Sequence, residues 1–281
     1  MGKLKAAWIG FNDPNQLADR ETIFASYEKY AKMGFAGMDG DLSTLPGDRD
    51  ENFKRFTALG LRCLGTWIGE IQSLINEPEQ VKRIVEICHY YGINGATIGG
   101  SSVISSFWEG YGQNGSYDSM MRDIEAMNRL VTLFHVEGLT CLYHNHYQEF
   151  TTYYHGVSVM DYILTQVDPR LQLKLDAGWV YVGGLDPVEY MEKVKDRIGM
   201  LHVKDFTEMI QPRYFQVADT ETDFGFTSIG SGRLDIKGVL SKAGEIGIEY
   251  AIAEQDRMRH LNPADSLLCA YLNMRETGCI E

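Results

Sequence analysis

Eight apolar, strand-like runs alternate with eight helix-like stretches along the whole chain. Nearly every helix stops close to a glycine, and no GxGxxG fingerprint follows the first strand. These three observations predict an α/β protein of the (β/α)8 barrel class. The 281 residues suffice for eight such units. No linker or low-complexity tract divides them, so residues 1–281 are expected to form one barrel domain. A doubly wound sheet competes with this reading but seldom keeps eight regular units.

Lys5 to Gly10 reads as the first strand. Over Arg20 to Met33, Ile23, Phe24, Tyr27, Tyr30 and Ala31 recur at helical spacing, and Gly34 supplies the cap. Phe35 to Asp39 is the second strand, and a helix around Glu51 to Leu59 closes on Gly60. Leu61 to Trp67 is the third strand, followed by a helix over Pro78 to Tyr91 with Val81, Ile84, Val85 and Cys88 on one face. Ala96 to Gly99 is the fourth strand, and Tyr117 to Val136 a long helix. The fifth strand enters at Leu139 and runs out into Tyr143-His144-Asn145-His146. A helix over Val157 to Val167 leads to the sixth strand, Leu171 to Asp176. Pro187 to Val194 is helical, and Met200 to Lys204 is the seventh strand. The polar stretch 206–228 is too long for an ordinary connection and is expected to be a lid, carrying Arg213, Tyr214, Phe215 and Phe224. A helix over Ile236 to Ile246, the strand Tyr250 to Glu254 and a helix over Pro263 to Thr277 complete the eight units.

The charge balance narrows the function classes. Lys and Arg number 26 against 39 Asp and Glu, a formal net charge of -13. That disfavours binding to a phosphate backbone, which relies on basic residues, so no nucleic-acid partner is expected. No run approaches the length of a membrane span, and Met1 to Lys5 lacks the apolar core of a signal peptide, so no membrane partner is expected. The five cysteines are scattered without a CxxC pair, as in a cytoplasmic protein with reduced thiols.

In a (β/α)8 barrel the chemistry sits at the C-terminal ends of the strands. Those ends offer Trp8, Asp39 or Asp41, Trp67, His144 with His146, Asp176, His202 with Lys204, and Glu254 with Asp256. A carboxylate or imidazole thus ends each of strands five to eight, which is what a central divalent ion requires. Donors of these types without thiolate suit Mn²⁺, Mg²⁺, Co²⁺ or Zn²⁺. Each residue also has a plainer reading. Asp176 is a natural helix N-cap, His202 a core histidine, Glu254 a partner for Arg257 or Arg259, and Lys204 a solvated flank. Trp8 and Trp67 suit a core as well as a substrate platform. Gly230-Ser231-Gly232 fits either a phosphate cradle or a tight turn before a helix.

Five segments occur in order: Tyr143-His144-Asn145-His146-x-x-Glu149-Phe150, Leu175-Asp176-Ala177-Gly178-Trp179, Leu201-His202-Val203-Lys204-Asp205, Ile229-Gly230-Ser231-Gly232-x-x-Asp235 and Ala253-Glu254-Gln255-Asp256. Together they resemble the xylose-isomerase-like barrel superfamily of sugar phosphate isomerases and epimerases, to which inosose dehydratases and endonuclease IV are related. The resemblance implies one divalent metal, Mn²⁺ being the first expectation, held by Glu, Asp, His and Glu from strands five to eight. Here it points to Asp176, His202 and Glu254. On strand five His144 stands where the family has its glutamate, and the nearest carboxylate is Glu149, so both belong to the candidate metal set. The expected reaction is proton abstraction beside a carbonyl of a keto-sugar or sugar phosphate, through a metal-stabilised enediolate, giving an isomerase or epimerase. A dehydratase or lyase acting on an inosose or a 3-keto-sugar or its glycoside would share that first step. A non-catalytic sugar-binding barrel and an endonuclease IV-like nuclease are the lesser alternatives. His146, Glu149 and Glu254 are candidate bases, and Lys204 would offset oxyanion charge. Trp8, Trp67, His146, Lys204 and Arg257 are candidate substrate contacts. A homodimer or homotetramer is common among similar barrels.

Overall fold

The computed structural model describes residues 2–9, 19–69, 71–99, 115–207, 225–256 and 261–281. In chain order the elements begin with β1 (Lys5–Ile9), α1 (Arg20–Met33), β2 (Gly37–Asp39), α2 (Arg49–Ala58), β3 (Arg62–Cys63), β4 (Thr66–Ile68), α3 (Ile71–Asn76), α4 (Pro78–Tyr91) and β5 (Gly95–Ile98). They continue with α5 (Tyr117–Val136), β6 (Thr140–His144), α6 (Gln148–Thr151), β7 (Tyr153–Tyr154), β8 (Val157–Ser158), α7 (Val159–Gln166), β9 (Gln172–Asp176), α8 (Ala177–Val182) and α9 (Pro187–Lys193). The last are β10 (Ile198–Val203), β11 (Asp205–Phe206), β12 (Phe226–Thr227), α10 (Ile236–Glu245), β13 (Tyr250–Ala253) and α11 (Pro263–Glu276).

Nine of the strands form one sheet in the order β3-β2-β1-β13-β10-β9-β6-β5-β4, every pairing parallel. The two ends of that order, β3 and β4, are separated in the chain by only Leu64 and Gly65. They are the two halves of the third strand expected from the sequence, one pairing β2 and the other β5, so the sheet curls back on itself into the barrel. The helices form where the apolar spacing places them. Asp19 caps α1 by accepting from the N–H groups of Glu21 and Thr22, and Gly34 closes it in the left-handed conformation at φ 115°. In α5 the buried residues Met120, Ile124, Met127, Leu130, Val131 and Phe134 make the stripe that packs on the sheet. Beyond the expected alternation stand the short helices α3, α6 and α8 and the small antiparallel pairs β7·β8 and β11·β12.

Strand alternation decides which side chains enter the barrel. On β9 Leu173 and Leu175 face outward into the main core, and Lys174 and Asp176 take the opposite parity. On β10 Leu201 and Val203 pack outward in the same core, leaving His202 on the inner face. On β1 that parity turns Trp8 outward, where its ring lies 5.1 Å from Tyr30, 5.7 Å from Phe35 and 6.1 Å from Tyr27. Trp8 therefore belongs to the layer between sheet and helix. Among the described residues no helix is long and apolar enough to cross a membrane.

Candidate active site

Four buried side chains from the four successive strand ends expected, His144, Asp176, His202 and Glu254, bring potential ligand atoms within 4.8 Å of one another. Asn145, between the two histidines of strand five, explains part of this alignment. Its Oδ1 accepts from the Asp176 N–H at 3.0 Å and its Nδ2 donates to the Asp176 carbonyl at 3.2 Å. This amide pins the end of β6 to the end of β9 and so holds His144 beside Asp176. Asp176 is the helix N-cap and still keeps one oxygen to spare. Its Oδ1 caps α8 by accepting from the Trp179 N–H at 2.9 Å, and its Oδ2, which accepts no hydrogen bond, lies 3.2 Å from Lys204 Nζ.

His202 is bracketed by two carboxylates, with Nδ1 2.6 Å from Glu254 Oε2 and Nε2 2.7 Å from Asp39 Oδ2. His144 Nε2 stands 3.8 Å from the same Glu254 oxygen, and His144 Nδ1 is buried with no hydrogen-bond partner. Lys204 is buried, with Nζ 2.8 Å from Asp256 Oδ2 and 3.4 Å from Glu254 Oε2. Lys174, deeper in the barrel, holds both oxygens of Asp39 at 2.7 and 2.8 Å. Among the described residues the site thus sets the carboxylates of Asp39, Asp176, Glu254 and Asp256 against the ammonium groups of Lys174 and Lys204. A divalent cation at the four-residue group would offset that excess. The unpartnered His144 Nδ1 and Asp176 Oδ2 are donors of the type such an ion takes, so the residues present fit a divalent metal.

Burial and neighbouring charge act in opposite directions on these groups. Burial alone would raise Glu254, but Lys204 and His202 beside it hold it well below the usual carboxylate range. The same contest at Asp39 is won by Lys174 and His202, which keep its carboxyl low. At Asp176 burial prevails over Lys204 and raises the carboxyl to about 7. His146 is pushed down to about 3, by burial first and the Lys204 charge second, so its ring is neutral at working pH; its Nδ1 has no hydrogen-bond partner.

Glu149 does not join the four-residue group. It lies behind β6, where Tyr143 Oη donates to its Oε1 at 2.6 Å and the His146 N–H to its Oε2 at 2.9 Å. The cause is parity: Tyr143 points away from the barrel axis, and the turn into α6 brings Glu149 back over that outer face. Burial raises its carboxyl to about 7 despite those hydrogen bonds.

His146 lies beside the group, its ring centroid 4.9 Å from that of His144. Trp67 borders the site as well, 5.4 Å from His144 and 6.1 Å from His202. Opposite, Trp179, Phe206 and Phe226 form a small aromatic cluster with Tyr147 against it, and Lys204 Nζ sits 4.6 Å from the centre of the Trp179 ring. Trp8 stays in the outer layer described above. Arg257, Arg259, Arg213, Tyr214, Phe215 and Phe224, and with them most of the expected lid, lie outside the described residues; the pair β11·β12 brings the flanks of that loop together.

Sequence reasoning missed Lys174 and the clamp made by Asn145. Lys174 had a signal in Leu173-Lys174-Leu175-Asp176, where alternation sets it on the face of Asp176. For Gly230-Ser231-Gly232 the structure decides between the two readings. Asp205 Oδ2 accepts from the N–H groups of Gly230 and Gly232 at 2.9 and 2.8 Å, and its Oδ1 accepts from those of Phe206 and Leu234. The cradle is filled by the chain's own carboxylate.

Similarity to known proteins agrees with this fold. An inosose dehydratase of Clostridium tetani is 26% identical over 164 residues, 56% of this chain and 54% of that protein. The chain spans about half the length of the curated relatives it matches. The fold superposes on a sugar phosphate isomerase/epimerase from Parabacteroides distasonis with a TM-score of 0.73 at 19% identity, covering 100% of this chain and 96% of that one. It also superposes on the IOLI protein with a bound zinc atom, at a TM-score of 0.66 and 13% identity over 98% and 97% of the two chains. With the xylose isomerase-like TIM barrel model matching residues 27–268, the chain belongs to that family.

Proposed function

We propose that this protein is a divalent-metal-dependent enzyme that enolises a keto-sugar or keto-polyol and returns the proton, as an isomerase or epimerase. The observation that carries the reading is the buried His144, Asp176, His202 and Glu254 group, with ligand atoms within 4.8 Å and two of its donor atoms without hydrogen bonds. A metal ion held there, Mn²⁺ by first preference, would supply Lewis-acid polarisation of the substrate carbonyl. His146 accepts the carbon-bound proton at its unpartnered Nδ1, and the C–H electron pair moves into a C=C bond as the carbonyl oxygen becomes an oxyanion. The oxyanion raises the basicity of the nearby imidazole, which offsets its low resting value. Lys204 donates to that oxygen. Trp67 and Trp179 flank the reacting group and exclude water. Return of that proton from His146 to the neighbouring carbon gives the isomer, and protonation by a second acid on the opposite face gives the epimer.

An unphosphorylated substrate is the better fit. The amides that could cradle a phosphate after strand seven already serve Asp205, and both buried lysines are paired with carboxylates. The curated inosose dehydratases support a second reading, in which the same enolate expels a β-hydroxyl as water with Lys204 as proton donor. The deciding experiment is NMR in D₂O with Mn²⁺ and a panel of keto-sugars and inososes. Deuterium entering beside the carbonyl is expected, and the product separates epimer, isomer and enone. A protein that binds Mn²⁺ and the sugar but exchanges no proton would be a binding barrel instead.

A further inference from the structure

Resting on that reading of the site, we infer that Asp39 and Lys174 are positioning residues that hold the Nε2 proton of His202, so that Nδ1 is the nitrogen left to serve the four-donor group. The imidazole makes two contacts, Nδ1 to Glu254 Oε2 at 2.6 Å and Nε2 to Asp39 Oδ2 at 2.7 Å. With a carboxylate this close to each nitrogen the metal-free ring donates from both, and to ligate a metal it must give up one of its two protons. Which nitrogen keeps its proton therefore depends on which carboxylate is the more firmly fixed acceptor.

Asp39 is fixed. It projects from β2 and Lys174 from β9, the second and sixth strands of the barrel and thus on opposite walls. Lys174 Nζ grips both of its oxygens at 2.7 and 2.8 Å. A carboxylate held by an ammonium group can only accept, so the proton shared with His202 stays on Nε2. Glu254 is by contrast a member of the donor group and would be shared with a bound metal. The surroundings keep the pair in place. The Trp67 ring lies 4.4 Å from Lys174 Nζ, and Gly65 leaves the room the pair occupies. A Cβ at Gly65 would collide with Asp39 Oδ1 and come within 3.1 Å of Lys174 Nζ. Outer partners of this kind orient a ligating histidine and raise its basicity.

The test separates positioning from mere barrel stability. In the double variant Asp39→Leu/Lys174→Met both charges leave together, so neither is stranded. His202 is followed by long-range ¹H–¹⁵N NMR of ¹⁵N-histidine-labelled protein, metal-free and with diamagnetic Zn²⁺, and Mn²⁺ affinity by calorimetry. The metal-free wild type is expected to carry both ring protons, and with Zn²⁺ to keep only that on Nε2. The folded metal-free double variant should lose the Nε2 proton and keep only that on Nδ1 against Glu254, with Mn²⁺ binding about 10- to 100-fold weaker. A folded double variant with the wild-type protonation pattern or an unchanged Mn²⁺ Kd overturns the inference. Should that variant not fold, Gly65→Ala displaces the Asp39 carboxylate without removing a charge, and the same two readouts decide in the same way. Wild-type protein that binds no Mn²⁺ would defeat the metal reading, while the protonation of His202 still decides the role of Asp39 and Lys174.

Discussion

Glu149 offers the most direct quantitative check on how the site is built. Its carboxyl is fully buried behind β6, and burial raises it from an ordinary 4.5 to about 7. A shift of that size links folding to pH by about 3 kcal/mol. The sign follows from the direction. The folded state holds the proton more tightly than the unfolded chain, so the contribution is fully present below the ordinary glutamate value. It declines as the pH rises from there to about 7 and is constant above. Glu149→Gln keeps the shape and lacks the titration. The glutamine oxygen can accept from the His146 N–H, and its amide can donate to the Tyr143 hydroxyl, which rotates to receive it. The assay is urea unfolding of EDTA-treated wild type and variant at pH 5 and pH 8, so that the other titrating groups cancel in the difference. Relative to wild type, the variant should gain about 2 kcal/mol between the two pH values. Parallel stabilities across that interval would refute the buried, protonated carboxyl. They would return Glu149 to the candidate bases.

Three other outcomes follow from the same geometry. Saturating Mn²⁺ should raise the melting temperature of EDTA-treated protein by about 5 °C or more, read by scanning calorimetry, and His202→Ala should abolish the shift. Lys204→Met strands the carboxylates of Asp176, Glu254 and Asp256, so metal-free protein should lose about 3–5 kcal/mol in denaturant titration; excess Mn²⁺ should restore part of it. Asp205→Ala leaves the N–H groups of Phe206, Gly230, Gly232 and Leu234 without their acceptor, at about 1–3 kcal/mol for each that finds no substitute. A Tm fall of less than about 3 °C in that variant would contradict the structural role given to Asp205.

The barrel was legible because its signals are local and repeat. Helices over 20–33, 78–91 and 117–136 follow from apolar spacing and caps, and the strand ends carrying His144, Asp176, His202 and Glu254 could be read off one after another. What escaped depends on parity and on contacts across the barrel. Trp8 and His144 both sit near a strand end, yet one faces the helices and the other the axis, and a strand's phase is fixed only by its neighbours. Glu149 reads like a ligand because it is close in sequence to His144, but the turn after β6 carries it to the other side of the strand. Asp39 and Lys174 are 135 residues apart, and no spacing rule could have paired them. Nothing in the spacing of Asn145 between two histidines tells that its amide joins the backbone of β9.

The divided third strand gives the barrel a seam. A closed barrel has no edge from which to unravel, but among the described residues β3 pairs with β2 alone and β4 with β5 alone, so the strand changes partner at Leu64 and Gly65, Leu64 still donating to Met38. Strain from a swelling or shrinking interior is relieved most cheaply at such a joint. Asp39 and Trp67 sit on either side of it, which puts the compliant place in the wall next to the floor of the chamber rather than at the helical exterior. The strands β6, β9, β10 and β13, which carry the four-donor group, are by contrast each paired on both sides.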